Sequence, residues 1–229
     1  MTIDTLRHYE LVNPRDHDNG ITVIGAGAVG SRVFSHLIEF GFENITVFDP
    51  DIVESHNIAN QLYGNSDIGQ PKVEALRRWA SWKLGIRDNS PNFPKTLHFV
   101  QDYVTPESNV QGYVFLLVDS LEERGKLATA FSNNLAVPRI IDVRMAAMHF
   151  NVFVFSPHTM LRNYLGTLGN DEDAEVSSCG SPFSVTTTAA AASAMAVSSF
   201  IHCVQLNDAA VSNRLDMYLG PYTLGTSKL

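Results

Sequence analysis

Three glycines and several carboxylates in this chain have the spacing to hold a phosphorylated ligand. Gly25-x-Gly27-x-x-Gly30 follows the apolar run Ile21 to Ile24 and opens a segment in which Val29, Val33, Phe34 and Leu37 recur at helical spacing. A strand that turns through such glycines into a helix brings the backbone amides of the helix N-terminus close to a phosphate. Asn44 to Phe48 reads as a second strand. It ends on Asp49, close to the ~20 residues beyond the fingerprint at which an acid holds a ribose hydroxyl. Farther on, the run YVFLLV from Tyr113 to Val118 suits a strand buried on both faces, and it delivers Asp119 to the carboxyl end, where open parallel sheets bind ligands. A carboxylate there repels a triphosphate unless a divalent cation lies between them, and the alternative is that Asp119 caps the next helix. Taken alone, the glycine turn serves NAD as well as ATP.

The stretch after Asp49 is more specific. It reads DPDIVESHNIANQ and then DIGQPK, which sets out Asp49, Asp51, Asn57, Gln61, Asp67-Ile68-Gly69 and Lys72 in order. This resembles the ThiF/MoeB/HesA family of adenylyltransferases, which activate ubiquitin-like and sulfur-carrier proteins and whose segment reads roughly D-x-D-x-V-x-x-x-N-L-x-R-Q, then D-x-G-x-x-K. Asp119-Ser-Leu-Glu-Glu-Arg124 is similar to the family's D-x-x-x-x-R, and the resemblance runs from about Ile21 to Val204. It implies ATP as cosubstrate, with Gly25, Gly27 and Gly30 under the nucleotide, Asp49 at the ribose, and Asp51 among the nucleotide-binding positions. It further implies that Asn57, Gln61 and Lys72 contact phosphates and that Asp119 holds magnesium. Read without the resemblance, Lys72 is a surface-helix lysine, and Asn57 and Gln61 fix a turn.

One position departs from the pattern. Asn60 stands where the family carries arginine, so a neutral amide of short reach replaces a fixed charge with several donors. Two cations could substitute: Arg7, on an arm that in the family often reaches the nucleotide of the other subunit, and Arg124, one helical turn beyond Asp119. Cys179, just before a long helix, resembles the cysteine with which some members take over the activated carrier. No basic neighbour is evident to lower its pKa, and a small, partly buried residue is the alternative. The family's CxxC pairs are absent, so no zinc staple is expected.

At 229 residues, 45% hydrophobic and 17% charged, the chain can bury one substantial core, and a single domain over residues 1–229 is expected. The net charge of -8, with no lysine or arginine cluster, disfavours nucleic acid and favours a protein or small-molecule partner. Two cysteines make no disulfide framework, and Met1 to Gly20 lacks the apolar core of a secretory signal; a cytoplasmic location is expected. Val185 to Val204 is uncharged over a length that could cross a membrane. Its content of Ser, Thr and Ala without Leu instead suits a helix pressed against a sheet or a partner helix. Such a helix would leave an apolar face wet on a lone domain, which predicts a homodimer.

These residues need an α/β scaffold to position them. The pattern predicts a Rossmann-like, mostly parallel sheet with helices on both faces and antiparallel strands added in the C-terminal part. A helix runs from Pro71 to Gly85, and strands are expected at Thr96 to Val100, Tyr113 to Val118 and Arg139 to Val143, with a helix through Leu135 between the last two. Phe150 to Phe155 alternates and has too little chain before it for a helical crossover, so it pairs antiparallel. Residues 1–20 read as an arm and Arg214 to Tyr222 as a closing strand and turn. Pro157 to Ser178 shows no apolar periodicity and carries acids at Asp171, Glu172, Asp173 and Glu175, which predicts a mobile loop, the family's crossover over the carrier tail. The implied reaction joins ATP and the C-terminal carboxylate of a small ubiquitin-like or sulfur-carrier protein, or a peptide, as an acyl-adenylate and releases pyrophosphate. No room is expected for a catalytic-cysteine or ubiquitin-fold domain. The rival readings are an NAD-dependent oxidoreductase, which gives Asn57, Gln61, Lys72 and Asp119 no hydride-transfer role, and a catalytically inactive scaffold.

Overall fold

Four-residue apolar runs form strands here because helices cover both of their faces. The computed structural model describes residues 3–16, 19–169, 184–206, 213–218 and 223–228. Its elements are β1 (Ile21–Ile24), α1 (Gly30–Phe40), β2 (Ile45–Phe48), α2 (Lys72–Leu84), β3 (Leu97–Val100), β4 (Tyr113–Leu116), α3 (Leu121–Phe131), β5 (Arg139–Met145), β6 (His149–Phe155), α4 (Pro157–Leu165), α5 (Thr186–Leu206), β7 (Asn213–Tyr218) and β8 (Thr223–Lys228). They build one eight-stranded sheet in the order β3-β2-β1-β4-β5-β6-β7-β8. The first five of these strands run parallel, and β6, β7 and β8 add on antiparallel.

Alternation along the strands sorts the core into two layers. Ile21 and Val23 of β1 and Phe115 of β4 face α1, α2 and α5, where they meet Phe34, Leu37, Leu76 and Phe200. Ile24, Val114 and Leu116 face α3 and α4, where they meet Leu127, Phe131 and Tyr164. The central strands β1 and β4 are thus apolar on both sides, as strands covered on two faces require. Gly41 and Gly85 end α1 and α2 in the left-handed conformation at φ 92° and 65°, as glycine C-caps do.

Three expectations change. Pro157 to Ser178 is not all loop, because Pro157–Leu165 is helix α4, while residues 170–178 lie outside the described residues. Met160, Leu161, Tyr164 and Leu168 supply a helical apolar face, and Tyr164 is fully buried and stacked on Phe155 with ring centroids 4.1 Å apart. Pro157 in the first turn favours helix rather than opposing it. At the end of the chain, the single closing strand becomes the antiparallel pair β7 and β8. Finally, α5 is long and apolar enough to cross a membrane by length and composition, yet Ala189, Ala192, Ala196, Val197, Phe200 and Ile201 are buried within the chain. Its outward positions are mixed, with Thr186, Thr187, Ser198, His202 and Gln205 beside Ala194 and the half-exposed Leu206, so the face left wet is largely polar and only partly apolar.

Candidate functional site

The sheet order reverses at β1: the chain steps outward to β2 and β3, then crosses to β4 on the other side. The crevice at the carboxyl ends of β1 and β4 is where such sheets bind ligands, and the glycine turn lies in it. Gly25 has φ +97°, and a Cβ there would come within 2.7 Å of the Leu117 carbonyl oxygen at the end of β4. A Cβ at Gly30 would sit 1.9 Å from the Gly25 oxygen, whereas at Gly27 it would meet nothing within 4 Å. Two glycines are therefore fixed by packing, and the third leaves the backbone open for approach. At the start of α1, the N-cap residue Val29 gives no side-chain cap; the Ser31 amide donates to the Gly27 carbonyl at 3.0 Å, so an anion would meet the amides of the turn before it.

The turn is clamped through Ala26. Its amide donates to Asp49 Oδ2 at 2.6 Å, and its carbonyl accepts from the Tyr63 hydroxyl at 2.6 Å. Burial holds the Tyr63 hydroxyl well above the usual tyrosine range, so it stays a donor. Asp49 is buried, and its Oδ1 accepts the Asp51 amide at 2.9 Å. Burial raises the Asp49 carboxyl above its ordinary value, and the positive charge of Lys72 offsets part of that. Each carboxylate oxygen keeps a lone pair beyond its backbone bond, which leaves room for a ribose hydroxyl.

Backbone pairing explains why the two half-motifs belong together. The Lys72 amide donates to the Asp51 carbonyl at 2.9 Å, Val53 N to Gln70 O at 2.8 Å, and Gly69 N to Val53 O at 2.8 Å. This places Lys72 at the start of α2 beside the Asp49–Asp51 loop. Its side chain is only 9% exposed, and Nζ lies 2.7 Å from Asp51 Oδ2 and 3.9 Å from Asp49 Oδ1. A solvated surface lysine is thereby excluded. Asp67 of the second half-motif accepts from the Gly64 amide and from Arg78, both within the local fold.

Asn57 does serve its turn: Oδ1 accepts the Glu54 amide at 2.8 Å in a reciprocal cap. Asn60 Nδ2 donates to the Ser184 carbonyl at 3.2 Å. Asn60 Oδ1 and Gln61 Oε1 are buried without a hydrogen-bond partner, as is Arg32 Nε. Asp119 is exposed at the end of β4, and the cap of α3 is made by its neighbour Ser120, whose hydroxyl accepts the Glu123 amide. The capping alternative for Asp119 is therefore taken by Ser120. A single carboxylate beside open backbone suits magnesium, which binds through one or two carboxylates plus substrate phosphates. Among the described residues, no cluster of three His, Cys, Asp or Glu side chains makes a closed metal cage.

Not every predicted residue joins this group. Arg124 is buried, and its guanidinium donates to the Leu116 carbonyl and to Asp142, a buried acid that also binds Arg144 and Tyr164. Its charge is spent in the α3–α4 layer, so it is no substitute cation. Arg7 is exposed on an arm docked at the opposite end of the sheet, where His8 packs edge-on against Phe40 and its Nε2 donates to the Phe40 carbonyl at 3.0 Å. Cys179 lies outside the described residues, and Cys203 is buried in α5. Sequence reasoning missed Tyr63. The signal was its place two residues after Gln61, but only the fold shows that its hydroxyl reaches the glycine turn.

Comparison with known proteins gives the family and the fold. The chain is 30% identical over 132 residues to the NEDD8-activating enzyme E1 catalytic subunit of Arabidopsis thaliana, covering 52% of this chain and 28% of that one. It is 34% identical over 61 residues to the molybdopterin-synthase adenylyltransferase of Escherichia coli, covering 26% of this chain and 24% of the relative. The chain thus spans under a third of the length of these relatives. Among solved structures, E. coli MccB with AMPCPP and MccA superposes with a TM-score of 0.72 at 11% identity, over 92% of this chain and 63% of that one, a likeness of fold. A model of the ThiF family matches residues 17–220, nearly the whole length, and the chain belongs to that family.

Proposed function

We propose that this chain is an ATP-dependent adenylyltransferase that activates the C-terminal carboxylate of a small ubiquitin-like or sulfur-carrier protein, or of a peptide. The observation that carries the reading is the convergence of an open glycine turn, a nearly buried Lys72 and an uncommitted Asp119 on one crevice. Family membership supports it, as do relatives named for adenylyl transfer and for NEDD8 activation, and a neighbour in fold solved with the ATP analogue AMPCPP and MccA.

In the proposed step, a carboxylate oxygen of the carrier attacks the α-phosphorus of ATP. The bond from that phosphorus to the bridging oxygen breaks, and the electron pair leaves with pyrophosphate. The nucleophile is already ionised, so the chain needs no general base; its task is to position and to neutralise. The turn amides and Lys72 meet the phosphates, Asp49 takes the ribose, and the Asn57–Gln61 turn closes over the polyphosphate. Lys72 exchanges its partner Asp51, which is 59% exposed and readily resolvated, for phosphate oxygens. Asp119 is the residue that would hold magnesium, which would supply charge neutralisation for the triphosphate.

The proposal extends to a homodimer, in which Arg7, held on an arm at the end of the sheet away from its own crevice, would meet the nucleotide of the second copy. Exchange of labelled pyrophosphate into ATP, measured with any small protein ending in Gly-Gly found encoded beside this chain, tests the activity. Exchange that needs the carrier, ATP and magnesium supports the reading. ATP binding without exchange in the presence of those carriers would favour the inactive scaffold.

A further inference from the structure

The departure at Asn60 leaves the polyphosphate end of the crevice short of a cation, and the structure offers one from another element. Arg32 lies in the first turn of α1, directly after the glycine turn. Its Nη2 donates to Thr186 Oγ1 at 2.9 Å, while Asn60 Nδ2 donates to the Ser184 carbonyl at 3.2 Å, so both side chains converge on the residues that lead into α5. The neighbouring side chain ties the same pieces together, since Ser31 Oγ accepts the Leu62 amide at 3.2 Å. Arg32 therefore shares one small region with Asn60 and Gln61.

Two features of Arg32 are hard to explain in a chain that binds no anion there. Its Nε is buried with no hydrogen-bond partner, as is that of Arg124, but Arg124 is paired with Asp142, whereas among the described residues no carboxylate pairs with the Arg32 guanidinium. A cation in the first turn also faces the positive end of the helix macrodipole, which is unfavourable unless an anion sits between them. A buried guanidinium N–H left unmatched carries a desolvation penalty that a phosphate oxygen would remove. The other two orphaned atoms of the region, Asn60 Oδ1 and Gln61 Oε1, belong to amides, and rotating the Gln61 amide would turn its NH2 toward the same anion.

We propose that Arg32 contacts the polyphosphate tail of ATP and replaces the charge that Asn60 does not supply. The proposal rests on the ATP reading above. It moves the cation from the turn after β2 to the helix after β1. Arg124 cannot fill the role because Asp142 holds it. The guanidinium fork suits a phosphate, and a lysine at the same position would reproduce the charge without the paired donors.

The test is calorimetric titration of wild type, Arg32→Ala, Arg32→Gln and Arg32→Ala/Asn60→Arg with ATP plus magnesium and, separately, with AMP. Arg32→Gln keeps a donor for Thr186 and guards against a folding defect in the alanine variant. Loss of a charge-assisted contact should weaken ATP about tenfold or more in both single variants, while AMP, which lacks the β- and γ-phosphates, changes less than about threefold. Asn60→Arg should recover most of the ATP affinity in the Arg32→Ala background. If wild type binds ATP and both single variants match it within about twofold, the inference on Arg32 fails and the ATP reading stands. Equal losses for ATP and AMP also overturn it, since they assign Arg32 to the adenylate or to the fold. A wild-type protein that binds no ATP overturns both.

Discussion

Tyr63→Phe isolates one hydrogen bond at the centre of the site. The ring stays and fills the same space, so no cavity opens, and the change removes only the hydroxyl that donates to the Ala26 carbonyl at 2.6 Å. Ala26 is fully buried, so water does not replace the lost donor. A buried carbonyl left without its partner costs about 1–3 kcal/mol, and for a chain of this size each kcal/mol lowers Tm by roughly 2–4 °C. With a central value of about 2 kcal/mol, the expected fall is about 4–8 °C. The same loss loosens the glycine turn, and binding energy must then reorder it; if about 1.4 kcal/mol of the cost moves to the nucleotide, ATP affinity drops tenfold. Thermal unfolding with and without ATP and magnesium reads both effects, and because tenfold weaker binding stabilises the variant by about 1.4 kcal/mol less, saturating ATP should widen the gap between variant and wild type. A Tyr63→Phe protein with wild-type Tm and wild-type ATP affinity would refute the claim that this clamp shapes the turn.

Other outcomes follow from individual residues. Asp119→Ala should abolish the dependence of ATP binding on magnesium, and Lys72→Ala should weaken ATP more than about tenfold, with both variants keeping wild-type far-UV circular dichroism; wild-type titrations in both would remove them from the site. Asp142→Asn leaves Arg124 without its buried counter-charge and should cost about 3 kcal/mol or more in urea unfolding, a loss absent from Asp216→Asn at the C-terminal edge of the sheet. Cys179→Ala should keep carrier-dependent pyrophosphate exchange, because acyl-adenylate formation needs no thiol; loss of exchange in the folded variant would contradict that separation. On the acid side, ATP affinity should fall with a midpoint above the ordinary aspartate value, because burial raises the Asp49 carboxyl and protonation removes an acceptor from the turn or the ribose.

The site was legible in sequence wherever one backbone segment carries it. Gly25, Gly27 and Gly30 constrain the chain through steric contacts with near neighbours, and Asp49 and Lys72 sit at fixed offsets in a loop closed by its own backbone bonds. Tyr63 and Arg32 were not legible because their meaning comes from contacts across the chain. Tyr63 acts 37 residues away on Ala26, and Arg32 acts 154 residues away on Thr186. Arg124 misled for the opposite reason: its offset from Asp119 matches the motif, but β5 brings the buried Asp142 beside Leu116 and captures it. Helix α4 was hidden by its neighbourhood, since the acids from Asp171 onward dominate the composition of a window whose first half holds Met160, Leu161 and Tyr164 on one face. The Rossmann-like sheet itself was readable because its strands are apolar on both faces and separated by glycine-capped helices.

The most direct measurement is a calorimetric titration of the wild-type protein with ATP, with and without magnesium, alongside NAD. The account requires saturable ATP binding that strengthens when magnesium is present and little or no binding of NAD, because the proposed site pairs Asp119 with the nucleotide phosphates through a cation. Tight NAD binding, or ATP binding indifferent to magnesium, would contradict the nucleotide site described here.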